Sequence, residues 1–170
     1  DVSEGTNNAK NILLQSANND WTIETKLVAS RIPAQPENAA ILVYQDDQNF
    51  VKLMFRAVIK TVRFGRQGAG QQRPGTIDLI MEENDIAKSV ASFDLPTAVS
   101  DNNPLQLKLR KEGSLYTGYY SLDGVTYDSL GTVDMLLKDI KAGLMAGDGT
   151  ITQYMKSTFW FDSDTSKPET

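Results

Sequence analysis

The most informative pattern in the chain is the hydrophobic run and alternation of residues 38–55, NAAILVYQDDQNFVKLMF. The segment Ala39–Tyr44 is apolar at nearly every position, as in a strand that is buried on both faces or contacts a ligand on one. A polar turn, Asp46–Asn49, separates it from a second segment in which apolar and polar residues alternate. The pattern predicts a β-hairpin at the centre of a sheet.

The alternation in the second strand assigns its two faces, because successive side chains of a strand point to opposite sides. Val51, Leu53 and Phe55 share one face, which we assign to the core. The opposite face carries Phe50, Lys52, Met54 and Arg56. We therefore expect Tyr44, Lys52 and Arg56 to lie open to solvent.

Short patterns of the same kind recur along the whole chain, separated by turn signals such as Asp123-Gly124. Further strands are predicted at Ile12–Gln15, Asp20–Ala29, Val58–Phe64 (a continuation or a new strand), Thr76–Glu82, Ile86–Phe93, Leu105–Arg110, Ser114–Leu122, Val125–Leu130, Ala142–Ala146 and Lys156–Asp162. The only predicted helical turn is Met135–Lys141. About ten to twelve short strands with almost no helix predict an all-β fold, a two-sheet antiparallel sandwich.

Composition narrows the domain organisation and the chemistry. The 170 residues suffice for a single β-sandwich domain, with residues 1–10 as a polar arm and 163–170 as a polar tail. The chain has no cysteine and no histidine, which excludes disulfides, thiolate or imidazole zinc sites and a Ser-His nucleophile pair. The net charge of −5 argues against nucleic-acid binding, and no apolar run approaches the roughly 20 residues of a membrane span.

Several motifs occur together in a recognisable order. They are NILLQ at Asn11–Gln15, DWTIETKL at Asp20–Leu27, ILVYQDDQNFVKL at Ile41–Leu53, SLDGVTYDSLGT at Ser121–Thr132, AGLMAG at Ala142–Gly147 and FWFD at Phe159–Asp162. In this order they resemble the concanavalin A-like lectin/glucanase superfamily, in particular the β-sandwich modules appended to bacterial β-xylosidases and arabinofuranosidases. One departure is Tyr127, where many relatives have tryptophan.

The resemblance implies a jelly-roll with a convex and a concave sheet, in which sugars bind the concave face or the loops at its rim. It also implies a covalently linked glycoside hydrolase domain, a xylan-type or related plant polysaccharide as the glycan, and an extracellular or periplasmic location. Two functions follow from it: a non-catalytic carbohydrate-binding module, or an interdomain module that supports the catalytic domain without binding sugar.

The candidate glycan-binding residues are those of the predicted open face and its rim. Sugar recognition combines aromatic or apolar surface for C–H faces with charged and amide groups for hydroxyls. The candidates are Tyr44, Lys52 and Arg56 of the hairpin, Glu24, Asp78 and Glu82 from neighbouring strands, and Tyr127 at the rim. The alternatives are an ordinary solvated sheet face, which also contains lysine and glutamate, and a surface for a protein partner.

A third function, a carboxylate-based glycoside hydrolase, depends on Asp78 and Glu82. Both carboxyl groups lie on one face of the predicted strand. Thr76 stands where the resemblance to the glucanases of this superfamily implies a carboxylate nucleophile. Positions i and i+4 of a strand are roughly 13 Å apart. Retaining and inverting hydrolases need separations of about 5 Å and 6.5–9.5 Å. The spacing therefore argues against catalysis by this pair.

The tyrosine-rich strand and the two tryptophans are assigned mainly to the core. Alternation places Tyr116 and Tyr120 on one face and Tyr119 on the other. Trp21 and Trp160 both lie in alternating apolar strands, so we expect both to be core residues.

Two further candidate sites involve charged residues. A structural calcium ion could be held by Glu4 and Asp162 if the termini meet, whereas Asp46-Asp47 is explained by the turn alone. The Gly65–Gly75 loop is the other candidate, with arginines that could contact an acidic sugar or a neighbouring domain. These are Arg63, Arg66 and Arg73.

Overall fold

A computed structural model describes residues 11–29, 38–60, 71–147 and 155–162. Residues 11, 29, 58–60, 71–73, 147 and 155–162 are described by their backbone alone. It contains eleven strands within these ranges. They are β1 (Asn11–Ser16), β2 (Trp21–Ala29), β3 (Asn38–Asp46), β4 (Asn49–Lys60), β5 (Gln71–Glu83), β6 (Ile86–Asp94), β7 (Leu105–Glu112), β8 (Leu115–Ser121), β9 (Asp128–Asp134), β10 (Lys141–Gly147) and β11 (Met155–Asp162).

The strands form two antiparallel sheets. The six-stranded sheet has the order β1-β10-β3-β4-β5-β6, and the five-stranded sheet has the order β11-β2-β7-β8-β9. The hairpin β3–β4 lies in the middle of the six-stranded sheet, as its hydrophobic pattern predicted, and β1 is at an edge. The predicted all-β, two-sheet antiparallel fold is confirmed. Within the described ranges, no helix is long and apolar enough to cross a bilayer.

The main core lies between the sheets and is built from the inward positions of alternating strands. Strand β7 has the burial pattern expected of period two, with Leu105, Leu107 and Leu109 at 1% exposure or less. The six-stranded sheet contributes Ile41, Val51, Leu53, Phe55, Ile77 and Leu79. Val51, Leu53 and Phe55 therefore face the core, as predicted.

The aromatic residues of the core also follow the sequence pattern. Trp21 is 3% exposed, and its ring centroid lies 6.4 Å from that of Tyr116. The Trp21 Nε1–H group donates to the carbonyl oxygen of Ala17 at 2.9 Å, which satisfies the one polar atom of the indole. Tyr120 stacks on Phe93 across the two sheets, with centroids 4.5 Å apart. Trp21, Tyr116 and Tyr120 are thus core residues, whereas the Trp160 side chain lies outside the described part of the chain.

Two paired glycines let the sheets approach each other. Gly118 of β8 and Gly131 of β9 are cross-strand partners that face inward. A Cβ atom on Gly118 would lie 3.1 Å from Leu53 Cδ1, and one on Gly131 would lie 2.8 Å from the Cβ atom of Ala91. Because Gly118 has no side chain, the leucines of the opposite sheet can pack against β8. Because Gly131 has none, β6 can pack closely against β9.

The predicted helical turn Met135–Lys141 is wrong. Residues 135–140 form a loop between β9 and β10. The backbone N–H groups of Lys138 and Ile140 donate to the side-chain oxygens of Gln45 (2.8 Å) and Asn18 (2.9 Å). These two N–H groups therefore do not donate to backbone carbonyl groups, as they would in a helix. In addition, Asp139 has a positive φ of 48°, which lies outside the right-handed helical region.

The predicted tight hairpin at Asp123-Gly124 is also wrong in its length. The return strand was expected at Val125, but β9 begins at Asp128 after a loop of residues 122–127. The Asp123 carboxylate accepts hydrogen bonds from the backbone N–H groups of Val125 (2.8 Å) and Thr126 (2.7 Å). This side chain therefore forms a wider Asx-type turn instead of a two-residue hairpin.

The region around the predicted Gly65–Gly75 loop is only partly described. Strand β4 continues to Lys60, and β5 begins at Gln71, so the last residues of that segment belong to a strand. Arg73 lies at a β5 position that pairs with Val58. Arg63 and Arg66 lie outside the described residues.

We expect Gly131→Val to lower the free energy of unfolding by about 1–3 kcal/mol, because the new side chain overlaps Ala91. Ala91→Gly in the same chain should recover part of the loss, since it removes the obstructing methyl group. Ser129→Val, a change at an exposed position of the same strand, should stay within about 0.5 kcal/mol. Urea denaturation measures all four proteins; equal stabilities of the Gly131 variant and the wild type would contradict the close packing of β6 and β9.

The Asp123 turn predicts a dependence of stability on pH. Hydrogen bonds from the backbone of Thr126 and Val125, with one from Ser121, hold the pKa of Asp123 well below its usual range. A depressed folded-state pKa adds stability that is present above the unfolded value of about 4 and is lost as the pH falls further. Asp123→Asn keeps an oxygen acceptor but cannot titrate. The stability difference between wild type and Asp123→Asn should therefore shrink between pH 5 and pH 2, as measured by urea midpoints; a constant difference would contradict the assignment.

Candidate functional site: the outer faces of the two sheets

The outer face of the six-stranded sheet carries most of the sequence-predicted site residues. Lys52 of β4 is paired with Ile80 of β5, and Asp78 and Glu82 pair with Met54 and Phe50. Partners across a sheet point to the same side. Tyr44, Lys52, Arg56, Asp78 and Glu82 consequently share one face, as the alternation predicted.

This face is nevertheless closed at its centre. Lys52 is 6% exposed, Asp78 5% and Glu82 2%, so the prediction that Lys52 lies open to solvent is wrong. A second apolar cluster occupies the same face, and neither Lys52 nor Glu82 is without an interaction partner. The buried members of this cluster are Ala40, Leu42, Phe50, Met54 and Met145.

Tyr44 and Arg56 lie at opposite ends of the face. Tyr44 pairs with Phe50, which is six residues from Arg56 along β4, a separation of about 20 Å. The Tyr44 hydroxyl donates to Asp47 Oδ1 at 2.5 Å, and burial together with this carboxylate raises its pKa to about 12. The structure therefore does not bring Tyr44 and Arg56 into a single binding patch.

Arg56 forms a half-open corner of this face. Its Nη2 atom lies 3.2 Å from Oδ2 of the buried Asp78, while 52% of its side chain remains exposed. The same carboxylate accepts hydrogen bonds from the hydroxyls of Thr76 (3.3 Å) and Ser92 (2.7 Å). Asp78 is thus an anchor that fixes the direction of the guanidinium group.

Three residues that are cross-strand neighbours form a row from Arg56 to the edge of the sheet. Arg56 pairs with Thr76 on β5, and Thr76 pairs with Asp94 on β6. Adjacent strands lie about 4.8 Å apart, so the row spans roughly 10 Å. It presents a guanidinium donor, a hydroxyl and the exposed Asp94 carboxylate at one end of the sandwich.

The acidic turn at the opposite end is explained by its own hydrogen bonds. Asp46 Oδ1 accepts from the Gln48 backbone (2.9 Å) and from Asn49 Nδ2 (2.8 Å), and Gln45 donates to Oδ2 (2.8 Å). The Gln45 and Asn49 side chains are the main groups that lower the Asp46 pKa. Among the described residues, no group of three or more metal-ligating side chains occurs. The calcium candidates Glu4 and Asp162 lie outside the described side chains.

Glu24 does not join the face on which the sequence analysis placed it. It belongs to β2 of the five-stranded sheet and pairs with Lys108 of β7. The alternation of β2 predicts that Glu24 points away from the core, but not which sheet the strand belongs to. The observed strand order places β2 in the five-stranded sheet. Glu24 therefore lies on the outer face of the opposite sheet.

On that opposite face, a cluster forms around Lys108. Its Nζ atom lies 3.6 Å from the centroid of the Tyr127 ring, 5.1 Å from that of Tyr119 and 3.9 Å from Glu24 Oε1. The Tyr127 hydroxyl donates to Gln106 Oε1 at 2.7 Å. Burial, followed by the charge of Glu24, raises the pKa of Tyr127 to about 12. We call these five residues the Lys108 cluster.

Sequence reasoning found only two members of the Lys108 cluster. Gln106 and Lys108 alternate with the core leucines of β7, a pattern that is typical of an ordinary solvated strand face. The outward position of Tyr119 was predicted, and its neighbours were not. The sequence feature that pointed to this cluster was the number of tyrosines close to the 122–127 loop. Their neighbours Glu24 and Lys108 come beside them only because β2, β7 and β8 are adjacent in the sheet.

Comparisons with known proteins support the fold. A scan against protein-family models and a search of curated proteins found no match to this sequence. Among solved structures, the chain is similar to a mutant of the GH43 protein BlXynB from Bacillus licheniformis, with a TM-score of 0.63, 18% identity and coverage of 90% of this chain and 29% of that chain. Xyloglucan PUL GH43B of Bacteroides ovatus gives a TM-score of 0.59 and 19% identity, with 87% and 28% coverage.

A shorter protein matches along nearly its whole length. Galectin LEC-6 of Caenorhabditis elegans gives a TM-score of 0.53 and 12% identity, with 92% coverage of both chains. The chain thus spans less than a third of the two GH43 chains and almost all of the galectin. The two-sheet antiparallel β-sandwich predicted from the sequence is thereby confirmed as the fold of the chain.

Proposed function

We propose that the chain is a non-catalytic carbohydrate-binding module of an extracellular or periplasmic polysaccharide-degrading protein. Its binding site is the Arg56 corner, the row of Arg56, Thr76 and Asp94 at one end of the six-stranded sheet. The ligand is a xylan-type plant glycan, and the module brings a covalently linked catalytic domain to its substrate.

The observation that supports this proposal is the tethered, half-exposed guanidinium group of Arg56. Asp78 holds one side of the fork at 3.2 Å, and about half of the side chain remains in contact with solvent. A guanidinium group has five N–H donors in a planar arrangement, so one ion pair leaves donors for sugar hydroxyls. Because Asp78 already restricts the side chain, less conformational entropy is lost when a ligand binds.

The fold comparisons add support of a more general kind. Two of the similar structures are GH43 proteins that are more than three times longer than the matched segment, and a third is a galectin. A module attached to an enzyme raises the local concentration of that enzyme at an insoluble substrate, even where each contact is weak.

The second candidate function is an interdomain module that supports a glycoside hydrolase domain without binding sugar. It rests on the same coverage of 28–29% of the two GH43 chains, because a matched segment that is one part of a larger protein fits either role. Such a module would bind a separately expressed catalytic domain and would show no affinity for xylohexaose.

We expect reversible binding of xylohexaose to the chain in isothermal titration calorimetry, and a loss of at least tenfold in affinity at this site for Arg56→Ala. The matched control is Arg110→Ala. Arg110 is 51% exposed and also pairs with a carboxylate, Glu112 at 2.6 Å, but it lies on the other sheet. Tyr44→Ala should have little effect, because Tyr44 is about 20 Å from Arg56.

Two outcomes would contradict the proposal. Equal losses for Arg56→Ala and Arg110→Ala would indicate a general effect of charge, and unchanged binding in Arg56→Ala would remove the Arg56 corner as the site. Release of shorter sugars from xylohexaose, abolished by Glu82→Gln, would instead indicate a carboxylate-based hydrolase.

A further inference from the structure

We infer that the outer face of the five-stranded sheet carries a second saccharide-binding site, formed by the Lys108 cluster with the Tyr127 ring as its platform. The inference takes its ligand class from the proposed function but uses none of the residues of the Arg56 corner. The cluster consists of Glu24, Gln106, Lys108, Tyr119 and Tyr127.

The Tyr127 ring lies against the side chain of Lys108. Lys108 rises from the middle strand of the sheet, and its Nζ atom lies 3.6 Å from the ring centroid. At this distance the ammonium group covers one face of the ring. Tyr127 is half-buried, so part of this residue stays exposed beside the lysine. Tyr127 therefore places a partly exposed aromatic residue beside the Lys108 ammonium group.

The ring is held in place from three directions. Its hydroxyl donates to Gln106 at 2.7 Å, the Lys108 ammonium group lies over the ring, and the Asp123 turn fixes the loop immediately before it. Gly124, at the centre of that turn, has a positive φ of 77°, and its missing Cβ atom would lie 3.1 Å from Gln106 Nε2. A rigid aromatic surface binds a ligand at a lower entropic cost than a mobile one.

The chemistry around the ring indicates which ligand fits. Glu24, with 37% of its side chain exposed, supplies carboxylate acceptors, and Lys108, with 22% exposed, supplies ammonium donors. The half-buried Gln106 adds an amide group. A sugar ring has apolar C–H faces and hydroxyls at its rim, which matches an aromatic surface bordered by both donors and acceptors.

Xylohexaose titrations of single-site variants test this inference. The wild-type chain should bind two xylohexaose molecules, and Arg56→Ala and Tyr127→Ala should each bind one. The combination of both changes should bind none. Tyr127→Phe keeps the ring and should retain at least part of the second binding event, whereas Lys108→Met should weaken it. Thermal unfolding of each variant checks that the sheets remain intact.

The variants also separate this inference from the proposed function. Binding of one molecule that is lost in Tyr127→Ala and kept in Arg56→Ala would support the second site and reject the Arg56 corner. Binding of one molecule that is lost in Arg56→Ala and kept in Tyr127→Ala would overturn the second site alone. No binding of xylohexaose to a folded wild-type chain would overturn both.

Discussion

The burial of strands β3 and β4 on both faces is the constraint on which the rest of the molecule depends. Leu53 and Ile41 face the main core, and Leu42 and Phe50 belong to a second apolar cluster on the outer side of the same sheet. A sheet that is apolar on both sides cannot offer its centre to solvent without losing the free energy of both clusters. Polar side chains of this outer face can therefore reach solvent only near the ends of the sheet.

That restriction explains why the charged residues of the outer face differ so much in exposure. Charges buried at the level of Lys52 and Glu82 are costly unless they have partners, and both are engaged. Asp78 is equally buried, but it faces the corner and meets its need for donors through Thr76, Ser92 and Arg56. One buried carboxylate thus converts a flexible surface arginine into an oriented group. Breaking that pairing changes the position of the guanidinium group as well as the stability of the sheet.

The parts of the fold that could be predicted from the sequence are those set by period-two alternation. The inward residues around Leu53 and Leu107 were assigned correctly from this alternation. The sequence could not show that Lys52 is covered, since alternation identifies a face and not what lies over it. It also could not assign Glu24 to a sheet, because that depends on which non-consecutive strands pair. The loop before Tyr127 differed from the prediction because a side chain, Asp123, competes for its backbone donors.

The two proposed sites also differ in what they can do together. They lie on outer faces that point in opposite directions, separated by two sheets packed about 10 Å apart. One short oligosaccharide cannot stack on Tyr127 and contact Arg56 at the same time, so a soluble hexasaccharide gains nothing from the second site. A polysaccharide network can occupy both faces with different chains, and the second contact is then favoured by effective concentration. Two sites on opposite faces would therefore favour an assembled, multi-chain polysaccharide over a free oligosaccharide.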